Sequence, residues 1–319
     1  MLQTLQQFTL RDTLQLESGD SLENVTIGYH TFGQLNKEKS NVIWVFHALT
    51  GNSDPMDWWP GIVGASSAID PEQHFIVCAN MLGSCYGSSG PEDFDYPLIT
   101  IKDQVTCFRH LKAHLQLDRI KMGIGGSMGG QQLLEWAVQE PSLFEIIVPI
   151  STNAIHSPWG IAFNETQRMA LKSDPENGIE TARAIAMLSY RHYHTYQQTQ
   201  SDTDERLDHF SASSYQNYQG LKLRKRFNPF SYFVLSKAMD SHHVGSKGIT
   251  LDSALGGIES KAVIIGIDTD LLFPVHEQKL LADTIPNSAY HEVESLYGHD
   301  GFLVEREAIS SIIKGILNG

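Results

Sequence analysis

The chain has 319 residues, with 23 Lys and Arg against 37 Asp and Glu, so its formal net charge at pH 7 is −14. This acidic balance argues against non-specific nucleic-acid binding and against an anionic membrane surface, both of which favour basic proteins. No run of 18 apolar residues occurs, so we expect no transmembrane helix. The three cysteines lack the CxxC spacing of a zinc site, and a reducing, cytoplasmic location fits them best.

Short apolar runs alternate with helical patterns through most of the sequence. The first forty residues, with alternating side chains near Val25, predict antiparallel strands. Later apolar runs are nearly continuous and rich in β-branched residues, which is typical of strands buried on both faces. These runs lie at 42–46, 75–78, 121–124, 146–150 and 262–267, with helical patterns at about 101–115 and 129–138. The alternation predicts an α/β fold with a mostly parallel sheet and helices on both faces.

This alternation stops between residues 153 and 249. Helical patterns occur there without a clear strand, at about 164–172, 179–190, 215–226 and 232–239, and the acidic stretch 202–205 predicts a loop. A helical block inserted into a parallel α/β fold is expected to cover the carboxyl edge of the sheet, where such folds bind ligands. We therefore predict a core of residues 1–152 and 250–319 with a helical cap of residues 153–249.

The most informative motif is Gly125-Gly126-Ser127-Met128-Gly129. It follows a predicted buried strand and opens a predicted helix, which is the context of a nucleophile elbow. The flanking glycines leave room for a tight turn that lifts the Ser127 hydroxyl out of the sheet, and the amide of Met128 then points at a developing oxyanion. The alternative is a Gly-rich helix cap.

A serine nucleophile needs a base, and the base needs an orienting acid. In α/β-hydrolases these residues follow in the order Ser, acid, His. Asp268 and Asp270 both come directly after the predicted strand at 262–267, and spacing alone does not choose between them. His299 lies in a Gly-flanked loop before a helix predicted from about residue 304, which fits the base.

Other features surround this candidate triad. His47 ends a predicted strand, and we expect it to shape the loop 48–51, which is placed to donate a second oxyanion amide. The Gly-rich stretch 83–90 lacks the signature of a phosphate loop and predicts a structured active-site loop, or a surface turn. The basic cluster Lys222, Arg224, Lys225 and Arg226 predicts a solvated helix face, with attraction for an anionic cosubstrate as the alternative. No motif suggests a metal.

Several segments together resemble the homoserine O-acetyltransferases, within the homoserine O-acyltransferase family of the α/β-hydrolase superfamily. They are 47–51, 80–91, 100–103, 125–130, 270–274 and 297–303, in the family's order. The resemblance implies an α/β-hydrolase fold with Ser127 as nucleophile and His299 as base, and it selects Asp270 over Asp268 as the orienting acid.

The resemblance also implies a reaction. An acetyl group would pass from acetyl-CoA to the hydroxyl of L-homoserine by a ping-pong mechanism through acyl-Ser127, in methionine biosynthesis. The amides of Leu49 and Met128 would hold the oxyanion. Acetyl-CoA would be a cosubstrate, no resident cofactor or metal is expected, and the family suggests a homodimer.

Family members bind the amino-acid end of homoserine with an Arg and a Tyr from the cap and with the Asp after the catalytic His. The matching residues are Arg183 for the carboxylate, Tyr190, and Asp300 for the ammonium group, which suits their chemistry. Arg183 and Tyr190 are seven residues apart and so share a helix face. The segment 172–178 lacks an insertion that many family members carry, so we expect a shortened cap.

Other functions share these residues. A succinyl-CoA donor or a serine acceptor would use the same triad, and so would an ester or thioester hydrolase, because water needs no binding site. A non-catalytic binding scaffold is a further alternative, against which the intact Ser127, Asp270 and His299 argue.

Overall fold

An eight-stranded sheet runs through the computed structural model, which describes residues 4–245 and 248–318. The strands are β1 (Gln6–Thr9), β2 (Leu14–Gln15), β3 (Ser21–Leu22), β4 (Thr26–Phe32), β5 (Val42–Phe46), β6 (Phe75–Ala79), β7 (Ile120–Gly126), β8 (Phe144–Ile150), β9 (Lys261–Ile267) and β10 (Ser288–Val293). The helices are α1 (Pro55–Trp58), α2 (Ile101–His114), α3 (Met128–Gln139), α4 (Pro158–Ser173), α5 (Gly178–Tyr190), α6 (Tyr193–Thr199), α7 (Ser211–Arg224), α8 (Pro229–Asp240), α9 (Leu251–Gly256), α10 (Val275–Thr284), α11 (Gly301–Val304) and α12 (Arg306–Asn318).

The order of the strands in this sheet is β1-β4-β6-β5-β7-β8-β9-β10. The β1–β4 and β4–β6 pairs are antiparallel, and all later pairs, from β6–β5 to β9–β10, are parallel. The short β2 and β3 form a separate antiparallel pair. The predicted fold class, a mostly parallel α/β sheet, is therefore confirmed.

The two faces of the sheet carry separate apolar cores, as the alternation of side chains along a strand requires. On β5, Trp44 and Phe46 pack into one core, where Trp44 meets Trp136 of α3 edge to face at 5.0 Å. Ile43 and Val45 point into the other core, with Ile309 of α12. Because β5 is buried on both faces, it reads in the sequence as one continuous apolar run.

Some elements differ from the sequence-based expectation. The helices α4 and α8 begin several residues earlier than predicted, because Ser157 and Asn228 cap them and a proline follows each cap. The strand β10 was missed, since it lies at the sheet edge and its exposed side chains break the apolar run. The helix α10 and the short helices α1, α6, α9 and α11 were missed as well, and the final helix predicted from about residue 304 is α12.

The helices α4 to α8 lie in the chain between β8 and β9, where the cap was predicted. The two ends of this segment meet. His156 N donates to the His242 carbonyl at 3.0 Å, and Val244 N donates to the Ala154 carbonyl at 3.0 Å. The division into a core and a cap of residues 153–249 stays a prediction. No helix in the described part of the chain is both long and apolar enough to cross a membrane.

The turn from β7 to α3 holds Ser127 in an uncommon backbone conformation, with φ 57° and ψ −127°. A non-glycine residue with positive φ is strained unless its surroundings hold it. The backbone packs so closely here that a Cβ on Gly125 would come 2.7 Å from the Gly129 backbone, and a Cβ on Gly129 would collide with the carbonyl oxygen of Phe46. These glycines allow the tight turn.

A half-buried carboxyl group lies in the first turn of α10. Glu277 Oε2 accepts a hydrogen bond from Asn153 Nδ2 at 3.0 Å. Burial, and secondarily the nearby Asp270 carboxylate, raise the pKa of Glu277 to about 7, although the Asn153 hydrogen bond opposes the shift. The folded protein therefore binds a proton at Glu277 over a pH range in which the unfolded chain has released it.

We expect Gly129→Ala to lower the free energy of unfolding by more than about 2 kcal/mol, because the new Cβ on α3 would collide with the Phe46 carbonyl at the end of β5. Gly315→Ala, on α12 where a Cβ meets no atom within 4 Å, is the matched control and should raise stability by up to about 1 kcal/mol. Urea unfolding followed by circular dichroism measures both. Equal effects of the two substitutions would contradict the packing described for the turn.

The raised pKa of Glu277 makes its contribution to stability fall as the pH rises from about 4.5 to about 7, since the native state binds more protons there than the unfolded state. Glu277→Gln keeps a neutral side chain and should lose less Tm than the wild type between about pH 5 and about pH 8. The exposed Glu294→Gln is the control and should follow the wild type. Parallel Tm curves for Glu277→Gln and the wild type would refute the shift.

Candidate active site

A cavity of about 380 Å³ opens at the carboxyl edge of the sheet, beyond the ends of β5 and β7. Ser127 and His299 line it, and α5 contributes Arg183 and Tyr190. Residues predicted from positions far apart in the sequence are thus brought to one space. Ser127 and His299 are only 5% and 3% exposed, so the reactive side chains lie at the inner end of this cavity.

His299 and Asp270 form a buried pair. His299 Nδ1 lies 2.7 Å from Asp270 Oδ2, while Asp270 Oδ1 accepts hydrogen bonds from the amides of Leu272 and Phe273 at 2.8 and 2.9 Å. The carboxylate is therefore fixed from both sides. With Nδ1 donating to Asp270, the imidazole presents its Nε2 lone pair as the base.

Asp268, the other candidate acid, is engaged elsewhere. Its Oδ1 accepts a hydrogen bond from the amide of Ser295 at 2.9 Å, which ties the end of β9 to the segment that leads to His299. The geometry thus separates two acids that spacing alone left equivalent: one contacts the imidazole, and the other holds the loop that carries it.

Aromatic rings surround the imidazole of His299. Its ring centroid lies 5.1 Å from Phe273, 5.3 Å from Phe302 and 5.6 Å from Tyr190. Phe302 and Tyr190 also line the cavity. These rings and the hydrogen bond to Asp270 limit the orientations open to the imidazole.

The loop after β5 reaches the same cavity through Leu49, which the sequence predicted as an oxyanion donor. Gly51 N donates to the Ala48 carbonyl at 2.8 Å and closes a turn around Leu49. His47 Nδ1 also lies 2.9 Å from the Ala48 carbonyl, and burial lowers the pKa of His47 to about 4. A neutral, buried His47 fits a role in shaping this loop.

Met128, the other predicted oxyanion donor, is the first residue of α3 and is completely buried. Its backbone follows Ser127 directly, so its amide lies at the N-terminus of the helix. The partial positive charge of a helix N-terminus favours an anion at this position.

The predicted substrate residues lie together, with an unpredicted partner. The Arg183 guanidinium lies 5.1 Å from the centroid of the Tyr190 ring, as their seven-residue spacing on α5 allows. Asp300 lines the cavity, and Arg191 Nε lies 3.1 Å from its Oδ2. Sequence reasoning missed Arg191, and its only signal was its place directly after Tyr190. The Asp300 carboxylate therefore already has one cationic neighbour.

The basic cluster divides in the structure. Arg224 pairs with Glu180 at 2.7 Å on the outside of α7, which matches the predicted solvated face. Lys222 and Arg226, by contrast, line the cavity.

The Gly-rich stretch 83–90, which the sequence predicted as an active-site loop or a surface turn, does not line the cavity. Hydrogen bonds hold it in place, among them Asn80 Nδ2 to the Tyr86 carbonyl at 2.6 Å. Within residues 4–245 and 248–318, no group of three or more His, Cys, Asp or Glu could hold a metal.

Comparison with known proteins identifies relatives of the chain. Residues 41–306 match the family described as alpha/beta hydrolase fold. The homoserine O-acetyltransferase of Cyclobacterium marinum is 47% identical, over 96% of this chain and 93% of its own length. The structure of homoserine O-acetyltransferase from Bacillus anthracis superposes with a TM-score of 0.91 at 22% identity, covering 100% of this chain and 98% of that one.

Esterase E22 has a closely similar fold, with a TM-score of 0.89 at 20% identity, covering 98% of this chain and 99% of that one. At such identities the structural likeness shows the fold alone, so the family is decided by the sequence relatives. The chain belongs to the family of the homoserine O-acetyltransferases, within the α/β-hydrolase fold.

Proposed function

We propose that this protein transfers an acetyl group from acetyl-CoA to the hydroxyl of L-homoserine through an acyl-Ser127 intermediate. One observation carries the proposal: the buried His299–Asp270 pair, Ser127, Arg183 and Asp300 meet at a single cavity. The 47% identity to a homoserine O-acetyltransferase supports the same reaction.

In the first half-reaction, Ser127 Oγ attacks the thioester carbonyl while His299 Nε2 takes the hydroxyl proton. The oxyanion that forms accepts hydrogen bonds from the amides of Leu49 and Met128. The C–S bond then breaks, the imidazolium gives its proton to the departing thiolate, and an acetyl ester remains on Ser127. Asp270 stabilises the imidazolium through the 2.7 Å hydrogen bond to Nδ1.

In the second half-reaction, the homoserine hydroxyl takes the place of the thiol. His299 Nε2 removes its proton, the oxygen attacks the acetyl carbonyl, and the same two amides hold the second oxyanion. The bond to Ser127 Oγ breaks and the serine oxygen recovers the proton from His299. No net change of protonation remains on the enzyme, so the cycle can repeat.

The amino-acid end of homoserine carries both charges, and the cavity offers a partner for each. Arg183 supplies a planar guanidinium for the carboxylate, and its position over the Tyr190 ring limits its movement. Asp300 supplies a carboxylate for the ammonium group. Because Arg191 already neighbours Asp300 Oδ2, the ammonium group would bind at the other oxygen.

Hydrolysis is the competing function, since esterase E22 shares the fold. Arg183 and Asp300 at the cavity favour a zwitterionic acceptor over water. Release of CoA in the presence and absence of homoserine separates the two: equal rates would make the protein a thioester hydrolase. Comparing acetyl-CoA with succinyl-CoA, and homoserine with serine, identifies the donor and the acceptor.

Ser127→Ala should lower kcat/KM for acetyl transfer by more than about 10³-fold, because the residual rate comes only from binding and the oxyanion site. Intact-protein mass spectrometry after mixing with acetyl-CoA should show one added acetyl group on the wild type and none on this variant. Retained acyl-enzyme in Ser127→Ala would refute the mechanism.

Asp270→Asn should lose about 10³-fold or more in kcat, and its matched control, Asp268→Asn, should not.

Asp300→Asn should raise KM for homoserine by about tenfold or more, because it removes a buried carboxylate from the ammonium group. The burst of CoA released in the first half-reaction should stay close to the wild type, since no amino acid is bound at that stage. Stopped-flow detection of free thiol measures the burst. A burst that falls in parallel with turnover would place Asp300 in the chemistry of Ser127 instead of acceptor binding.

A further inference from the structure

Two basic side chains line the exposed part of the cavity, and neither takes part in the proposed proton transfers. Lys222 and Arg226 both line it, and both residues are exposed, whereas Ser127 and His299 are buried. The cavity therefore runs from a buried nucleophile to a cationic mouth. The proposed mechanism uses only the inner end, and it assigns no role to these cations.

Their positions in the chain place both side chains on one face. Lys222 lies in the last turn of α7, and the helical turn continues past its end, with Arg226 N donating to the Leu223 carbonyl at 3.0 Å. Residues four apart on a helical turn are neighbours on its surface. Arg224 lies between them in sequence but faces away, toward Glu180 at 2.7 Å.

Arg226 is held in place by hydrogen bonds to two loops of the core. Its Nη1 donates to the Thr50 carbonyl at 2.6 Å and to the Tyr86 hydroxyl at 3.1 Å, and that hydroxyl donates to the Arg226 carbonyl at 2.8 Å. These partners are neutral, so the positive charge is positioned without being neutralised. Among residues 4–245 and 248–318, no carboxylate forms an ion pair with Lys222 or Arg226.

The balance of charge around the cavity is opposite to that of the chain. The chain as a whole carries a net charge of −14, yet the cavity is lined by the cations Arg183, Lys222 and Arg226 against the carboxylates Asp57 and Asp300. With Arg183 and Asp300 assigned to the acceptor, Lys222 and Arg226 outnumber the single remaining carboxylate, Asp57. A cationic mouth on an acidic protein concentrates an anionic ligand at that point.

We propose that Lys222 and Arg226 bind the phosphate groups of the acyl donor. Because these groups lie at the opposite end from the thioester, the thioester remains free to reach Ser127. The inference rests on the proposed function, because coenzyme A carries a diphosphate and a ribose phosphate at the end opposite its thiol. Lysine and arginine both form charge-assisted hydrogen bonds with phosphate oxygens.

The test compares two donors that differ only beyond the thioester. Acetyl-CoA carries the phosphates, and S-acetyl-N-acetylcysteamine presents the same acyl thioester without them. Lys222→Gln should lower the ratio of kcat/KM for acetyl-CoA to kcat/KM for the short donor by about fivefold, through KM for acetyl-CoA. Lys222→Arg should restore most of the ratio, and Lys225→Gln, an exposed cation that does not line the cavity, should leave it at the wild-type value.

Salt gives a second readout, in which each protein is compared with itself at low and high NaCl. Raising NaCl should raise KM for acetyl-CoA in the wild type more than in Lys222→Gln, because salt screens exposed charges. KM for the short donor should be insensitive to salt in both proteins.

Two results would overturn the proposal. An equal loss with both donors in Lys222→Gln would make Lys222 structural, and a rise in KM for homoserine alone would assign it to the acceptor. Failure of the proposed function is distinguishable from these, because the wild type would then transfer acetyl to homoserine from neither donor. Arg226→Gln serves only as a supporting variant, since Arg226 also holds Thr50 in the loop 48–51, which contains the proposed oxyanion donor Leu49.

Discussion

The hydrogen bond between His299 Nδ1 and Asp270 Oδ2 is the interaction on which the site depends. It joins two loops at the ends of different elements, and it is buried, so the imidazole cannot exchange its partner for water without leaving both groups unsatisfied. The amides of Leu272 and Phe273 hold the carboxylate from behind. The orientation of the base is thus set by backbone groups that the fold itself fixes.

The strained turn at Ser127 fixes the position of the nucleophile, as the His299–Asp270 pair fixes that of the base. Its positive φ of 57° is held by the close packing of β7, α3 and the carbonyl of Phe46 around the turn. The nucleophile and the base are therefore each placed by packing that involves no substrate. An active site built this way is organised before the ligand binds, so less binding energy is spent on ordering it.

Much of this arrangement could be predicted from the sequence because its signals are local. The β5 run of five buried apolar residues and the glycines around Ser127 each form a pattern that is complete within a few residues of sequence. The edge strand β10 could not be found in this way, since most of its side chains are exposed or half-buried and form no apolar run. Contacts across the fold were also invisible: the Arg191–Asp300 pair and the contact of Arg226 with Thr50 join residues 109 and 176 positions apart.

The hydrogen bonds that join Ala154 to Val244 and His156 to His242 have a consequence for how such proteins diversify. The chain between these bonds leaves and returns to the same place beyond the carboxyl end of β8, and only afterwards runs through α9 to the start of β9. The sheet is therefore insensitive to what lies between the bonded positions. Lengthening or trimming the intervening helices costs little loop-closure entropy, which grows only slowly with length. Insertions and deletions in these helices can therefore change the specificity for acceptor and donor while Ser127, His299 and Asp270 keep their positions.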